Sequence, residues 1–291
     1  MDRPGSPTVV VLGSVNMDLV TTTARRPAPG ETVLGTEFTT VPGGKGANQA
    51  IAAARSGAQV RFLGAIGDDT FATVLANTLS AAGVDITLLR RVGGASGVAS
   101  IVVDATGENS IIVVAGANGQ VTELTDAELA AIAAADILLC QLEIPVETVL
   151  AAAQHARASG TVVALNPSPV RPLPDALWAA VDVAVVNSLE AEQYRAELTQ
   201  VAHLVTTLGG DGAVYRGTDG NEISAAGRDV EVLDTTGAGD AFTGALAATW
   251  NQGARAALNW ANAAGALATT SLGASSSIPG SARIAAALTT G

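Results

Sequence analysis

Lysine is almost absent from this chain. Among 291 residues only Lys45 is lysine, and every other basic side chain is arginine. Cysteine is as scarce: the single Cys140 excludes an intramolecular disulfide and fits a reducing, cytoplasmic setting. Aromatic residues make up 3%, so the core has to be built from Ala, Val, Leu and Ile. Long apolar runs are missing. Stretches such as TVVVLG break within about ten residues, short of the roughly 20 that a membrane span needs. The N-terminal MDRPGSPTVVVLG lacks the basic-then-apolar pattern of a secretion signal. There is no basic stripe, and the net charge of −12 excludes the electrostatic footprint of a nucleic-acid binder. The Arg-Arg pairs at 25–26 and 90–91 read as solvated turns. A protein this acidic must handle phosphates with local devices: backbone N–H groups, helix N-termini or a metal ion. Of the two histidines, His155 falls inside a helical run and His203 opens a strand, so both read as structural. No HExxH and no Cys/His cluster occurs, which disfavours a zinc enzyme.

What is present is a regular alternation. Hydrophobic residues at 48% and charged residues at 14% describe a folded chain, long enough for one large α/β unit over 1–291. Short β-branched runs (8–13, 60–67, 136–143, 161–169, the start of 181–193 and 202–215) alternate with alanine-rich helical runs (46–57, 68–83, 145–160, 238–250, 254–270). This predicts a mostly parallel sheet with helices on both faces. No internal repeat and no linker interrupts it. Two regions break the rhythm: 15–42 is extended, and GVASIVVDATGENSIIVVA (97–115) reads as a hairpin around DATGEN. Together, about 15–42 and 95–116 form either a small β lid over the ends of the parallel strands, where ligands bind in open α/β sheets, or ordinary edge hairpins.

Lys45 sits in VPGGKGANQA. A P-loop lysine is followed by Ser or Thr, but Gly46 and Ala47 follow here, so a Walker-type NTPase is excluded. GSVNMD, with one glycine after the first strand, lacks the dinucleotide fingerprint. The strongest local signal is DTTGAGDAFTGALAATW (234–250). Gly237 and Gly239 allow a tight backbone, and Asp240 opens an alanine-rich helix whose free N–H groups favour an anion. Asp240 is then either an N-terminal cap or a base taking a proton from an attacking hydroxyl beside an oxyanion cradle. Asn16 and Asp18 point to one face of an extended segment, either to bond a polar ligand or to make an Asx turn. Glu143 ends an apolar strand at the expected ligand crevice. Cys140, in the same strand, reads as core. Asn187 and Glu190 in NSLE follow a strand as a cap and its first turn.

In order and spacing, GSVNMD, GGKGANQA, QLE, NSLE, TLGGDG and DTTGAGD resemble the ribokinase-type (PfkB) carbohydrate kinases over nearly the whole chain. GGKGANQ with N-x-D resembles the ribokinase branch more than the fructokinase, adenosine kinase or ketodeoxygluconate kinase branches. The resemblance implies a three-layer αβα fold with a β lid, often a homodimer through that lid. It implies ATP-dependent phosphorylation of D-ribose, or of another sugar or nucleoside, and less readily a catalytically silent sugar-binding regulator. On this pattern Asp240 is the general base and Gly237, Ala238 and Gly239 supply the anion hole. Asn16, Asp18, Gly44, Lys45, Gly46, Asn48 and Glu143 hold the sugar. Asn187 and Glu190 organise Mg2+ and phosphates. Thr207, Leu208, Gly209, Gly210, Gly212, Gly239 and Asn262 line the nucleotide. Asp234, Thr236, Ala268, Ser271, Gly273 and Ser277 resemble the family's K+ site. One departure stands out: only residues 191–206 bridge NSLE and TLGG, where the family has room for a full helix. A shortened helix, or none, is expected there, leaving sheet surface exposed or covered by a neighbouring chain.

Overall fold

The alternation of β-branched and alanine-rich runs becomes a layered α/β structure in the computed structural model, which describes residues 6–289. The strands are β1 (Thr8–Leu12), β2 (Asn16–Thr23), β3 (Gly35–Gly43), β4 (Gln59–Ile66), β5 (Leu89–Arg91), β6 (Gly97–Val103), β7 (Asn109–Val114), β8 (Ile137–Cys140), β9 (Val162–Leu165), β10 (Val183–Asn187), β11 (His203–Thr207), β12 (Gly212–Arg216) and β13 (Glu222–Ala226). The helices are α1 (Lys45–Arg55), α2 (Ala72–Ala81), α3 (Asp126–Ala133), α4 (Val146–Ser159), α5 (Asp175–Trp178), α6 (Ser188–Gln193), α7 (Ala238–Thr249), α8 (Ala254–Ala268), α9 (Ala274–Ser277) and α10 (Ser281–Thr289). None of the described helices is long and apolar enough to cross a membrane.

Nine strands form the main sheet in the order β13-β12-β11-β10-β9-β8-β1-β4-β5. The sheet is parallel except where β12 and β13 join antiparallel. Period-two alternation sends neighbouring side chains to opposite faces. Val9 and Val11 enter one core with α1, α2, α7 and α8, while Val10 and Leu12 enter the other with α3, α4 and α5. Both faces of β1 are therefore buried, which is why it reads as an unbroken apolar run. Small residues let α1 and α7 approach closely: a Cβ on Gly244 would strike the backbone of Gln49 and the methyl of Ala52. That contact brings the start of α1 beside the start of α7.

The two regions that broke the rhythm form their own sheet, β3-β2-β6-β7, rather than hairpins on the edge of the main one. β2 pairs in parallel with β6, and the outer pairings are antiparallel. One face turns Ala99, Ile101, Ile111 and Val113 toward a cavity over the strand ends. The opposite face leaves Phe38, Ile112 and Val114 exposed.

Some details depart from expectation. The helix expected over 68–83 begins at Ala72, because Asp69 accepts the N–H groups of Phe71 (3.1 Å) and Ala72 (3.0 Å) and opens it three residues later. Arg25 lies in an exposed bend, as expected, but Arg26 is half-buried and paired with Asp104 (3.0 Å) and Glu108 across the small sheet, and Arg90 is no solvated turn either. Its guanidinium grips both oxygens of Glu128, a carboxylate only 2% exposed, and also donates to the Glu123 carbonyl (2.6 Å). In the bridge over 191–206 the helix is short, as expected: α6 has six residues, followed by a 3-10 turn at Glu197–Thr199. Tyr194, Leu198 and Val201 are buried there, and Tyr194 meets Trp178 edge to face (centroids 5.1 Å apart). Farther out the same sheet face keeps Thr206 and Val214 partly exposed and Ser224 exposed, the thinner cover that the short bridge implies.

Candidate active site

The chain turns directly from β1 into β2, so Ser14 to Asp18 reach the C-terminal ends of the parallel strands. Asn16 is buried, and its Oδ1 accepts the Asn118 amide at 2.7 Å. Asn118 is itself fixed, because its Oδ1 accepts the Val15 N–H at 3.0 Å. Neither Asn16 nor Asp18 makes an Asx turn, since both lie inside β2. Asp18 faces the cavity beside Gly43, where any Cβ would collide with its carboxylate. Burial, reinforced by the nearby charges of Glu143 and Asp240, pushes the Asp18 carboxyl up to about 7.

Gly44 opens α1 with φ 93°, a left-handed conformation that only glycine adopts cheaply. Its Cβ would also strike the backbone of Val15 and Asn16. Next comes Lys45, whose backbone N–H donates to Glu143 Oε2 at 3.1 Å, while the Ser14 hydroxyl donates to the same oxygen. Burial alone would lower the Lys45 ammonium, but Asp240, Glu143 and Glu190 outweigh it and hold the group above its ordinary value. Gly46 does not line the cavity. It packs on the Gly13–Ser14 backbone, where a side chain has no room. Asn48 donates to Asp240 Oδ2 at 3.0 Å, and its own Oδ1 has no partner among the described residues.

Gly237, with φ 77°, starts α7 without a side-chain cap. Asp240 is therefore not a capping residue. Its carboxylate points back to α1, accepting from Asn48 and from Gln49 (2.9 Å). The Ala238 N–H closes a turn onto the Thr235 carbonyl (3.2 Å). This leaves the N–H groups of Gly239 and Asp240 as the free donors of the first turn.

Three cavities run in series through these residues. The first, of about 710 Å³, lies under the small sheet and is lined by Asn16, Asp18, Lys45, Asn48, Glu143 and Asp240. The second, of about 130 Å³, shares Lys45, Gly237 and Asp240 with it and adds Asn187, Glu190 and Thr207. The third, of about 410 Å³, shares Thr207 and Gly239 with the second and is lined by Gly209, Gly210, Gly212 and Asn262, with apolar walls from Val230, Val232 and Phe242. Asn262 donates to the Ala226 carbonyl at 2.7 Å. Leu208, over a third exposed, does not line it.

Asn187 and Glu190 form a reciprocal capping box on α6, with Glu190 N–H to Asn187 Oδ1 at 2.8 Å and Asn187 N–H to Glu190 Oε2 at 2.9 Å. The box fixes the Glu190 carboxylate at the wall of the middle cavity, so capping and lining coexist. Asp234 clamps two segments by accepting the N–H groups of Thr236 and Gly273, each at 2.9 Å. Burial would push its carboxyl up, but the Thr236 and Gly273 donors hold it below the usual range. Ala268 and Ser277 are buried close to this clamp in sequence, and the Ser277 hydroxyl donates to the Ala274 carbonyl (3.0 Å). Ser14, Gln49, Asn118 and Gln141 were not anticipated. Ser14, Gln49 and Gln141 do lie inside the recognised GSVNMD, GGKGANQ and QLE stretches, a signal that Asn118 lacks.

The geometry has clear counterparts. Residues 6–280 match the pfkB family of carbohydrate kinases. A ribokinase of Bacillus subtilis (strain 168) is 42% identical over 282 residues, covering 93% of this chain and 96% of its own. A deoxyribokinase of Salmonella typhimurium is 34% identical over 258 residues, covering 82% of this chain and 84% of its own. The structure of Arabidopsis thaliana ribokinase complexed with ribose and ATP superposes with a TM-score of 0.90 at 30% identity, covering 97% of this chain and 99% of that one.

Proposed function

This chain belongs to the pfkB family of carbohydrate kinases, and we propose that it transfers the γ-phosphoryl group of ATP to O5 of D-ribose, giving ribose 5-phosphate and ADP. The carrying observation is that Asp240 lines both the cavity under the small sheet and the adjoining middle cavity. A base in that position touches the acceptor hydroxyl on one side and the transferring group on the other. The sugar occupies the larger cavity, its hydroxyls donating to Asp18 and Glu143, with Asn48 Oδ1 ready to accept another. ATP lies along the glycine-rich third cavity with its γ-phosphate in the middle one.

In the reaction Asp240 takes the proton of the 5-hydroxyl as that oxygen bonds to the γ-phosphorus. The bond from phosphorus to the bridging β,γ-oxygen breaks, and ADP leaves with the electron pair. The free N–H groups of Gly239 and Asp240, presented by the Gly237-Ala238-Gly239 turn whose Ala238 N–H is spent on Thr235, face the moving charge. Lys45, the compact cation shared by two cavities, adds to that field. Closure of the small sheet over the sugar excludes water and orients the hydroxyl.

The residues present fit magnesium. Glu190 offers a fixed carboxylate at the phosphate cavity, and no group of three or more acidic, His or Cys side chains among the described residues could enclose a metal. This suits an ion that keeps several waters and relies on substrate phosphates. Bound there beside Asn187, it would neutralise phosphate charge. Asp234, which ties Thr236 to Gly273, would be the anchor of a K+ activator held with the backbone carbonyls of Thr236, Ala268, Ser271 and Gly273 and with Ser277, stiffening the loop before α7. The exposed apolar face of the small sheet fits a homodimer contact, and the lone cysteine fits a cytoplasmic enzyme.

The likeness to a deoxyribokinase favours one second reading, a kinase acting on 2-deoxyribose. Measuring ADP release with ribose, deoxyribose, fructose and adenosine, with and without K+, decides between them. Preference for ribose is expected, preference for another acceptor overturns the ribose assignment, and no turnover on any favours a silent sugar-binding regulator. Asp240→Asn should lower kcat by several orders of magnitude with little effect on sugar affinity; near-normal turnover would sink the mechanism.

A further inference from the structure

Two glutamines lie behind Asp240, fully buried and outside all three cavities. Gln49 follows Asn48 on α1, and Gln141 follows the last residue of β8. Gln49 Nε2 donates to Asp240 Oδ1 at 2.9 Å and to Asn166 Oδ1 at 3.1 Å. Gln49 Oε1 accepts from Gln141 Nε2 at 2.6 Å. Asn166 is anchored in turn, its Nδ2 donating to the Val185 carbonyl at 2.9 Å.

This arrangement permits one orientation of the Gln49 amide. Rotating it by half a turn would set its oxygen against two acceptors, Asp240 Oδ1 and the anchored Asn166 Oδ1. The sense of the amide is thus set by Asp240 and Asn166, and Gln141 holds its oxygen from behind. The remaining proton direction of the amide is fixed on Asp240. With Asn48 holding the other carboxylate oxygen (3.0 Å), the Asp240 plane is pinned at both ends.

The lock is retained at a cost. Gln141 Oε1 is buried with no partner among the described residues, and Gly13 must stay glycine beside it because a Cβ there would overlap that oxygen. A buried polar group left unsatisfied is destabilising, whereas a pair of apolar side chains of the same shape would not be. Packing alone gives no reason for two facing amides at this place.

We propose that Gln141 and Gln49 form a buried amide relay that positions the Asp240 carboxylate for proton abstraction, with Gln49 as the positioning residue and Gln141 acting through it. The relay rests on the reading of Asp240 as the base, and touches neither sugar nor nucleotide. It serves orientation: a carboxylate free to rotate spends most of its time with its accepting lone pair turned from the hydroxyl.

Gln49→Met and Gln141→Met keep length and volume while deleting the hydrogen bonds. The readouts are kcat and KM for the sugar by ADP release, sugar Kd by calorimetry, and Tm. Gln49→Met should lower kcat about 100-fold with Kd for ribose within about threefold of wild type, a split that an interaction made only in the transition state produces. Gln141→Met should lower kcat about tenfold by freeing the Gln49 amide. The double variant should be no slower than Gln49→Met alone, because Gln141 has no other route to the base. Turnover within about threefold of wild type in Gln49→Met overturns the relay, as does multiplicative loss in the double variant. A drop in Tm alone marks a packing role and also overturns it. Should Gln49→Met not fold, Gln141→Met decides by itself, since it never touches Asp240: a kcat loss at unchanged Kd supports the relay, and unchanged kcat refutes it. Asp240→Asn run alongside separates the two claims. If that variant is inactive while both Met variants are normal, the base stands and the relay falls. If it retains turnover, the base assignment itself falls.

Discussion

Replacing Asp18 with asparagine should stabilise the ligand-free protein at neutral pH while weakening its hold on the sugar. The Asp18 carboxyl sits under the small sheet with Glu143 and Asp240 nearby, and burial, then those two charges, raise it from its ordinary 3.8 to about 7. The folded protein therefore binds this proton more tightly than the unfolded chain does. Its contribution to stability is fully present below about pH 4, declines as pH rises through the window from 3.8 to about 7, and is gone above it. At about 1.36 kcal/mol per pH unit, the full displacement corresponds to on the order of 4 kcal/mol of destabilisation at pH 8. Water entering the open cavity and movement of Glu143 and Asp240 relieve part of this, so about 2 kcal/mol is the working expectation. Asparagine carries no such charge. At about 2 °C per kcal/mol for a chain of this size, Asp18→Asn should melt about 4 °C higher than wild type at pH 8, with the gap closing toward pH 4. Thermal melts without sugar, taken from pH 4.5 to 8.5, measure it. The same titration governs binding, because sugar hydroxyls donate to the ionised carboxylate. Wild-type KM for ribose should fall about tenfold from pH 6 to pH 8, as the ionised fraction rises from about 0.1 to about 0.9 around a pKa near 7. In Asp18→Asn the KM should be higher and flat. A melting gap that is constant with pH, or a variant less stable than wild type at pH 8 without sugar, would refute the reasoning.

Lys45→Arg should lower kcat about 10- to 100-fold, because the planar guanidinium cannot occupy the space between Asp240, Glu143 and Glu190 that a compact ammonium fills; unimpaired steady-state turnover would make this lysine incidental. Arg90→Leu should destabilise the protein by about 3 kcal/mol in urea unfolding, since it leaves the nearly inaccessible Glu128 carboxylate without its cation, and an unchanged midpoint would assign that pair no structural weight. Phe38→Asp with Ile112→Asp, on the outer face of the small sheet, should convert a dimer to a monomer in light scattering with little change in Tm; a wild-type monomer, or a dimer that survives the change, would remove that face from the contact.

How much of this was legible depended on whether a residue's role is set by local pattern or by a distant partner. The main strands and helices were readable because burial on both faces of the sheet forces continuous apolar runs, and the flanking helices carry alanine at close-packing positions. The separate sheet was readable as an extended segment and a hairpin, with a lid and edge hairpins left as alternatives, because the pairing of β2 with β6 that decides between them joins segments some 80 residues apart. β5, α3, β13 and α10 went unread: β5 spans only three residues, and β13, EISAA, has little β-branched character. The α3 start was missed although Thr125 and Glu128 form a capping box there, and that same glutamate explains why Arg90 is not a solvated turn. At the site, Asp240, Lys45 and Glu143 stood out because their charges flank glycines or end strands. The supporting amides could not stand out in that way. Gln141 is a polar residue immediately after an apolar strand, and Gly13 is a glycine ending another; only folding shows that the second must lack a side chain to leave room for the first. A glycine required by a neighbour's oxygen, rather than by its own backbone torsion, leaves no mark in sequence. For that reason the base was legible as a base, while Gln49 and Gln141 were legible only as members of GGKGANQ and QLE and not as the residues that aim it.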